Sequence, residues 1–264
     1  MHEDIFCQVT SSSDLSGRTA LVTGASSGLG MRFAAVLAKS GASVALGARR
    51  LDRLEELVLQ IRAIGGRSVA AAMDVADEKS VVAAFDNFEA TLGPIHTVIV
   101  NAGINTQGLA TDLAIEDFER IMSVNVRGAF LTAREGARRM MAAGSREGQW
   151  GRIVLIASIG GHTILPGLTA YCASKAAVMM MGRCMAREWA GRGINVNVVC
   201  PGYVRTEIND DWFDSDGGHR QVAGFPRKRL MNASDLDAMI LYLSSDAAQS
   251  ITGAVITIDD AQSL

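Results

Sequence analysis

The sequence has no run approaching the ~18 consecutive apolar residues of a membrane-spanning helix. Its first 16 residues carry acidic side chains and the run Ser11, Ser12, Ser13 where a signal peptide would carry an apolar core. A protein that stays in the cytoplasm, without a membrane partner, is expected. Charge of either sign is not in excess: 25 Lys and Arg against 28 Asp and Glu leave a net charge of -3, which gives no electrostatic footprint for nucleic acid. The four cysteines, Cys7, Cys172, Cys184 and Cys200, have no CxxC spacing. They suggest neither a metal site nor a disulfide framework, and reduced thiols suit a cytoplasmic protein. No repeat, low-complexity block or linker-like shift divides the chain. What remains is 264 residues, 48% hydrophobic and 20% charged, enough for one large α/β domain.

Short β-branched runs alternate with helical patterns along the chain. Strands are expected at 19–23, 43–46, 68–73, 97–100, 153–156, 195–199 and 255–258, and helices at 29–39, 51–64, 78–92, 115–141, 171–189 and 235–243. Six of the seven strands are almost continuously apolar, as strands covered on both faces must be. The expectation is a doubly wound, Rossmann-type fold with a seven-stranded parallel sheet flanked by helices. A loose N-terminal arm over 1–16 would precede a single domain over 17–264. Residues 143–151 read as a polar surface loop. The long segment 204–229, with Trp212, Phe213, His219 and Phe225, reads as a lid.

Directly after the first strand comes Thr23-Gly24-Ala25-Ser26-Ser27-Gly28-Leu29-Gly30. A glycine-rich turn opening a helix offers unpaired N–H groups and the positive helix end to a pyrophosphate. The spacing is G-x-x-x-G-x-G, not the usual dinucleotide G-x-G-x-x-G. At the end of the second strand, where an NAD-preferring site carries an acid for the ribose 2′-hydroxyl, the chain has Ala48-Arg49-Arg50. Two guanidiniums would receive a 2′-phosphate, so NADP(H) is expected with Arg49 as principal clamp and Arg50 as helper, NAD(H) remaining open.

Tyr171 and Lys175 are four residues apart in a helical stretch and so share a face. An ammonium beside a phenol favours the phenolate, and the tyrosine pKa is expected to fall from ~10 towards a value useful for acid–base work.

These motifs, in their order, resemble those of the short-chain dehydrogenase/reductase family over nearly the whole chain, from about Leu15 to Asp260. They are the loop from Thr23 to Gly30, Asp74-Val75, Asn101-Ala102-Gly103, Asn125, Ser158, Tyr171 with Lys175, and Pro201-Gly202. The resemblance implies that Gly24, Ser26, Ser27, Gly28, Leu29 and Gly30 cradle the cofactor phosphates and that Asp74 and Val75 contact the adenine. Asn101, Ala102 and Gly103 would flank the adenine ribose, and Pro201, Gly202, Val204 and Thr206 would hold the nicotinamide carboxamide. It implies a catalytic tetrad of Asn125, Ser158, Tyr171 and Lys175, in which the tyrosine and lysine also touch the cofactor. Tyr171 would exchange a proton with the substrate oxygen, Ser158 would hydrogen-bond that oxygen, Lys175 would lower the tyrosine pKa, and Asn125 would anchor a water.

Gly161, His162, Leu165, Pro166, Leu168, Tyr203, Trp212 and Phe213 are expected to shape a mostly apolar pocket for a ketone or secondary alcohol. The apolar helices at 115–141 and 171–189 imply, with the resemblance, a homodimer or homotetramer, although the C-terminal Asp259-Asp260 departs from the family's usual Asp-Gly-Gly. An NADP(H)-dependent ketone reductase or secondary-alcohol dehydrogenase is the leading expectation. An NAD-dependent secondary-alcohol dehydrogenase and a catalytically silent nucleotide-sensing scaffold are the alternatives.

Overall fold

The computed structural model describes residues 14–264 apart from Ile208. Its strands are β1 (Thr19–Thr23), β2 (Ser43–Ala48), β3 (Ser68–Ala72), β4 (Thr97–Val100), β5 (Gly151–Ile156), β6 (Ile194–Pro201) and β7 (Val255–Ile258). All are parallel, in the order β3-β2-β1-β4-β5-β6-β7. The helices are α1 (Gly28–Lys39), α2 (Leu51–Ala63), α3 (Glu78–Leu92), α4 (Ile115–Met122), α5 (Ala129–Ala142), α6 (Ser145–Gly148), α7 (Thr169–Trp189), α8 (Asp210–Phe213), α9 (Asp216–Gly224) and α10 (Asp237–Ser244). This is the doubly wound Rossmann-type sheet expected from the apolar strands.

Alternate strand residues feed two separate cores, which is why the strands read as continuous apolar runs. Ala20, Val22, Val44, Leu46, Val154 and Ile156 pack with Phe33 and Leu37 of α1, Leu54 and Ile61 of α2, and Ile240 of α10. Leu21, Ala45, Ile153, Leu155 and Val198 point the other way, to Phe85 and Phe88 of α3, Ala133 of α5 and Val178 of α7. Each fully buried leucine among them contributes about 2 kcal/mol by leaving water. Local signals fix the helix ends. Asp77 caps α3 by accepting the Lys79 N–H at 3.0 Å, and Gly93, at φ 81°, stops it.

Several expectations change. The helix foreseen over 115–141 is interrupted by a π-helical segment, Ser123–Gly128, between α4 and α5. Gly128 closes it against Val75, where an added Cβ would lie 2.7 Å from Val75 Cγ2. The loop expected at 143–151 holds the short α6, whose Ser145 is buried and donates to the Arg192 carbonyl at 2.8 Å. Residues 1–13, most of the expected arm, lie outside the described residues. Leu15, also assigned to that arm, is 1% exposed, and its N–H donates to the Ser40 carbonyl at 2.8 Å.

The segment read from sequence as a lid contains α8 and α9. Tyr203 stacks on Phe225 at 5.6 Å and meets Phe213 edge-on at the same distance. Phe213 and Phe225 are buried against Tyr203 and form a small aromatic core for this segment, so Phe213 presents almost no surface to a pocket. Trp212 is 37% exposed, with its Nε1–H donating to Gln221 Oε1 at 2.6 Å.

Candidate active site

The sheet order places the crossover between β1 and β4, and ligands in open parallel sheets bind beyond the strand C-termini at such a point. Thr23, at the end of β1, is fully buried. Its hydroxyl accepts the Asn101 N–H at 3.0 Å and the Ala102 N–H at 3.2 Å, while Asn101 Nδ2 donates to the Thr23 carbonyl at 2.9 Å. These bonds lock the segment after β4 to the loop after β1. Sequence reasoning quoted Thr23 without giving it this role; a polar side chain ending an otherwise apolar strand was the available signal.

The glycines of the loop are needed for contact. A Cβ on Gly30 would lie 2.3 Å from the Gly24 carbonyl oxygen and 2.6 Å from Asn101 Nδ2, and Gly24 and Gly28 have φ of 67° and 52°. Ser27 precedes α1 without capping it by its side chain, so the first-turn N–H groups keep no side-chain acceptor. Around them, Ser26 and Ser27 hydroxyls face the Arg50 guanidinium at 3.1 and 2.8 Å, and Thr206 lies across Gly28. An uncapped helix start, hydroxyls and a guanidinium fit a dinucleotide phosphate.

Arg50 is thus the guanidinium lying on the loop, and it also donates to Glu207 at 3.2 Å. Arg49, the expected principal clamp, is exposed at the end of β2, with no hydrogen bond or ion pair to another described residue. Asp74 Oδ1 accepts the Ala76 N–H at 2.9 Å, Val75 packs on Gly128, and Gly202 donates its N–H to the Ile258 carbonyl at 2.9 Å. Val204 bridges to Met231. The expected carboxamide segment after β6 therefore starts from a fixed base.

The four candidate catalytic residues converge from three elements. Ser158 follows β5, and its hydroxyl accepts the Gly160 N–H at 3.1 Å. That capping role is compatible with chemistry, since the same hydroxyl lies near enough to the Tyr171 phenol on α7 to pull its pKa down. One turn further along α7, Lys175 is 5% exposed, and its Nζ donates to the Ile156 carbonyl at 2.9 Å. Asn125, in the π-helical segment, is 1% exposed; its Oδ1 accepts the Ile104 N–H at 2.8 Å, and its Nδ2 donates to the Ile104 carbonyl and to Ser174 Oγ. A Cβ on Gly103 would stand 3.4 Å from both Asn125 Oδ1 and Lys175 Nζ, so the two polar ends meet over that glycine. π-turns inside helices are frequent at functional sites because they re-aim side chains, and this one brings Asn125 inward.

Ser174 was missed. It is fully buried, donates to the Tyr171 carbonyl at 2.7 Å and accepts from Asn125, thereby joining the π segment to α7. Cys200 also went unassigned. Burial pushes its thiol up to about 11, against smaller opposing pulls from the Ser158 backbone and Lys175.

The electrostatics correct one expectation. Burial pushes the Tyr171 phenol up to about 12, against a smaller opposing pull from the Ser158 hydrogen bond. Burial also brings Lys175 down to about 8. The ammonium sits 5.6 Å from the Tyr171 ring centroid and is aimed at a backbone carbonyl, so it does not offset the desolvation of the phenolate. The Tyr171 phenol therefore keeps its proton at neutral pH.

A half-buried phenol near a serine at a strand end, a buried lysine and an uncapped helix start thus come together beyond the C-terminal ends of the strands. The short chain dehydrogenase family model matches residues 18–217, and the chain belongs to that family, as an oxidoreductase. It is 35% identical over 245 residues to D-threitol dehydrogenase of Mycolicibacterium smegmatis, covering 93% of this chain and 92% of that protein. Among solved structures it resembles a short-chain type dehydrogenase/reductase from Mycobacterium marinum, at 37% identity and a TM-score of 0.88 over 94% of this chain and 96% of the other. A gluconate 5-dehydrogenase from Burkholderia cenocepacia, in complex with NADP and tartrate, is 32% identical with a TM-score of 0.89 over 94% and 96% of the two chains.

Proposed function

We propose that the protein is an NADP(H)-dependent ketone reductase or secondary-alcohol dehydrogenase in which Tyr171 is the general acid and base. The observation that carries this is the convergence of Ser158, Tyr171, Lys175 and Asn125 beyond the ends of β4 and β5, next to a phosphate-binding loop flanked by Arg49 and Arg50. The nicotinamide, when bound, supplies or accepts the hydride. In reduction Tyr171 gives its proton to the substrate oxygen, and Ser158 donates a hydrogen bond to that oxygen as negative charge develops on it. Lys175 then returns a proton to the tyrosine, and in oxidation the same groups run in reverse. Asn125, held by Ile104 and Ser174, positions the polar floor beneath Lys175.

Two arginines and no carboxylate at the end of β2 support NADP(H) over NAD(H), and the NADP bound to the Burkholderia relative is in keeping with this. The substrate is a small ketone or secondary alcohol. Leu165 and Cys172, which border Gly160 together with Tyr171, make its surroundings mostly apolar, and His162 nearby in sequence is exposed. The names of relatives that act on threitol and gluconate place polyols beside simple ketones in the panel to be tried. The exposed Phe118, Phe130 and Met180 on α4, α5 and α7 suit a homo-oligomeric enzyme. Among the described residues no helix is long and apolar enough to cross a membrane, and a cytoplasmic site of action is proposed.

The test is a panel of ketones, secondary alcohols and polyols assayed with both cofactors by nicotinamide absorbance. A lower KM for NADPH than for NADH and loss of at least ~99% of turnover in Tyr171→Phe, with unchanged circular dichroism, are expected. A lower KM for NADH removes the cofactor assignment, and substantial turnover in Tyr171→Phe removes the mechanism.

A further inference from the structure

Glu207 lies immediately after Thr206, at the root of the lid, and its carboxylate is held by two guanidiniums from the start of α2. Oε2 accepts from Arg50 Nη1 at 3.2 Å and Oε1 from Arg53 Nη1 at 2.6 Å. Arg50 at the same time donates through Nη2 to Ser27 Oγ at 2.8 Å and to Ser26 Oγ at 3.1 Å. One guanidinium therefore joins the phosphate loop to the lid. The hydrogen bonds from Arg53 and Arg50 hold the Glu207 carboxyl below the usual carboxylate range, so it is an anion at neutral pH.

We propose that Glu207 is a specificity-determining residue that competes with the 2′-phosphate of NADP(H) for Arg50 and Arg53. This rests on the NADP(H) reading above. Arg49, Arg50 and Arg53 offer three positive charges at the end of β2 and the start of α2, and Glu207 cancels one of them. Arg49 has no partner among the described residues, whereas the other two guanidiniums are engaged by Glu207. A phosphate dianion arriving at Arg49 meets a carboxylate already seated on the neighbouring guanidiniums. It must displace that carboxylate or tolerate its repulsion. Glu207 is about half-exposed and the pairs are solvated, so exchange of one anion for another is feasible. A ribose that carries only hydroxyls has no such competition. Glu207 thus moderates the preference that the arginines create, and 2′-phosphate binding frees the lid root from α2.

The experiment compares wild type and Glu207→Gln by calorimetry with two nicotinamide-free probes, adenosine 2′,5′-bisphosphate and adenosine 5′-monophosphate. The amide keeps the shape and removes the charge. Glu207→Gln should bind the bisphosphate about five- to tenfold more tightly than wild type does, with less than about twofold change for the monophosphate. If wild type prefers the bisphosphate but Glu207→Gln binds it no more tightly, or more weakly, the competition is refuted while the NADP(H) reading stands. If neither protein prefers the bisphosphate, the NADP(H) reading fails and takes the inference with it. Equal tightening for both probes also overturns the proposal, since Glu207 would then act on the whole nucleotide. Circular dichroism and the melting temperature of the variant establish that it is folded.

Discussion

Replacing Lys175 with methionine should change the pH dependence of stability in a direction that the burial of this side chain dictates. Lys175 is 5% exposed, and burial lowers it from an ordinary value of 10.5 to about 8. At about 1.4 kcal/mol for each pH unit, the buried ammonium costs the cofactor-free protein about 3 kcal/mol at pH 7. Between pH 8 and 10.5 the unfolded chain still holds the lysine proton while the folded chain has released it. The unfolded state therefore binds more protons, and the wild-type protein gains stability as the pH rises through this window. Methionine fills a similar volume and cannot titrate. It also leaves the Ile156 carbonyl without its donor, a loss of about 1–3 kcal/mol that offsets the benefit at pH 7. The net change at pH 7 is consequently small, but the slope is not. From pH 7 to pH 10 wild type should gain about 2 kcal/mol relative to the variant. Tyr171, pushed up from 10.0 to about 12, begins to cost stability near pH 9, but it does so in both proteins and drops out of their difference. Urea unfolding followed by circular dichroism at pH 7, 8, 9 and 10, at one protein concentration, reads this directly. A wild-type-to-variant difference that stays constant to within about 0.5 kcal/mol would refute the burial argument.

Two further outcomes follow from the site geometry. Ser158→Ala should lower kcat about 10²- to 10³-fold with a smaller effect on cofactor KM, because the hydroxyl acts on charge that develops in the transition state; steady-state kinetics with a saturating cofactor checks it, and a pure KM effect would contradict that role. Gly30→Ala should abolish cofactor binding and lower the melting temperature, since the new Cβ would stand 2.3 Å from the Gly24 carbonyl oxygen. Thermal unfolding with and without NADPH tests both, and wild-type cofactor stabilisation in the variant would contradict the close packing.

The doubly wound sheet was legible because its strands carry their own evidence. β1, β4 and β7 have the boundaries their apolar runs suggest, and both cores follow from alternate residues of the same runs. The positions of Tyr171, Lys175, Ser158 and the glycine loop were legible for a similar reason: local spacing and the strand-turn-helix context constrain them. The interrupted helix at Ser123–Gly128 was not. Nothing local to Asn125 distinguishes a π-turn from an α-turn, and the distinction depends on Val75 packing at Gly128 and on Ile104 and Ser174 satisfying the amide. The lid aromatics were legible as residues but not as a core, because Phe213 and Phe225 meet Tyr203 only after the segment folds back.

Sequence alone determined which chemical groups are present and which strand ends carry them, because strand and helix periodicity are properties of neighbouring residues. Tertiary structure decided their energetics. The i,i+4 spacing of Tyr171 and Lys175 promised a lowered phenol pKa, yet burial, which comes from β5, β6 and the π segment, outweighs the ammonium and raises it. It likewise put Arg50, not Arg49, on the phosphate loop and paired it with Glu207, 157 residues away. Desolvation and ion pairing depend on what the whole chain brings within a few ångströms, and no short stretch of sequence contains that information.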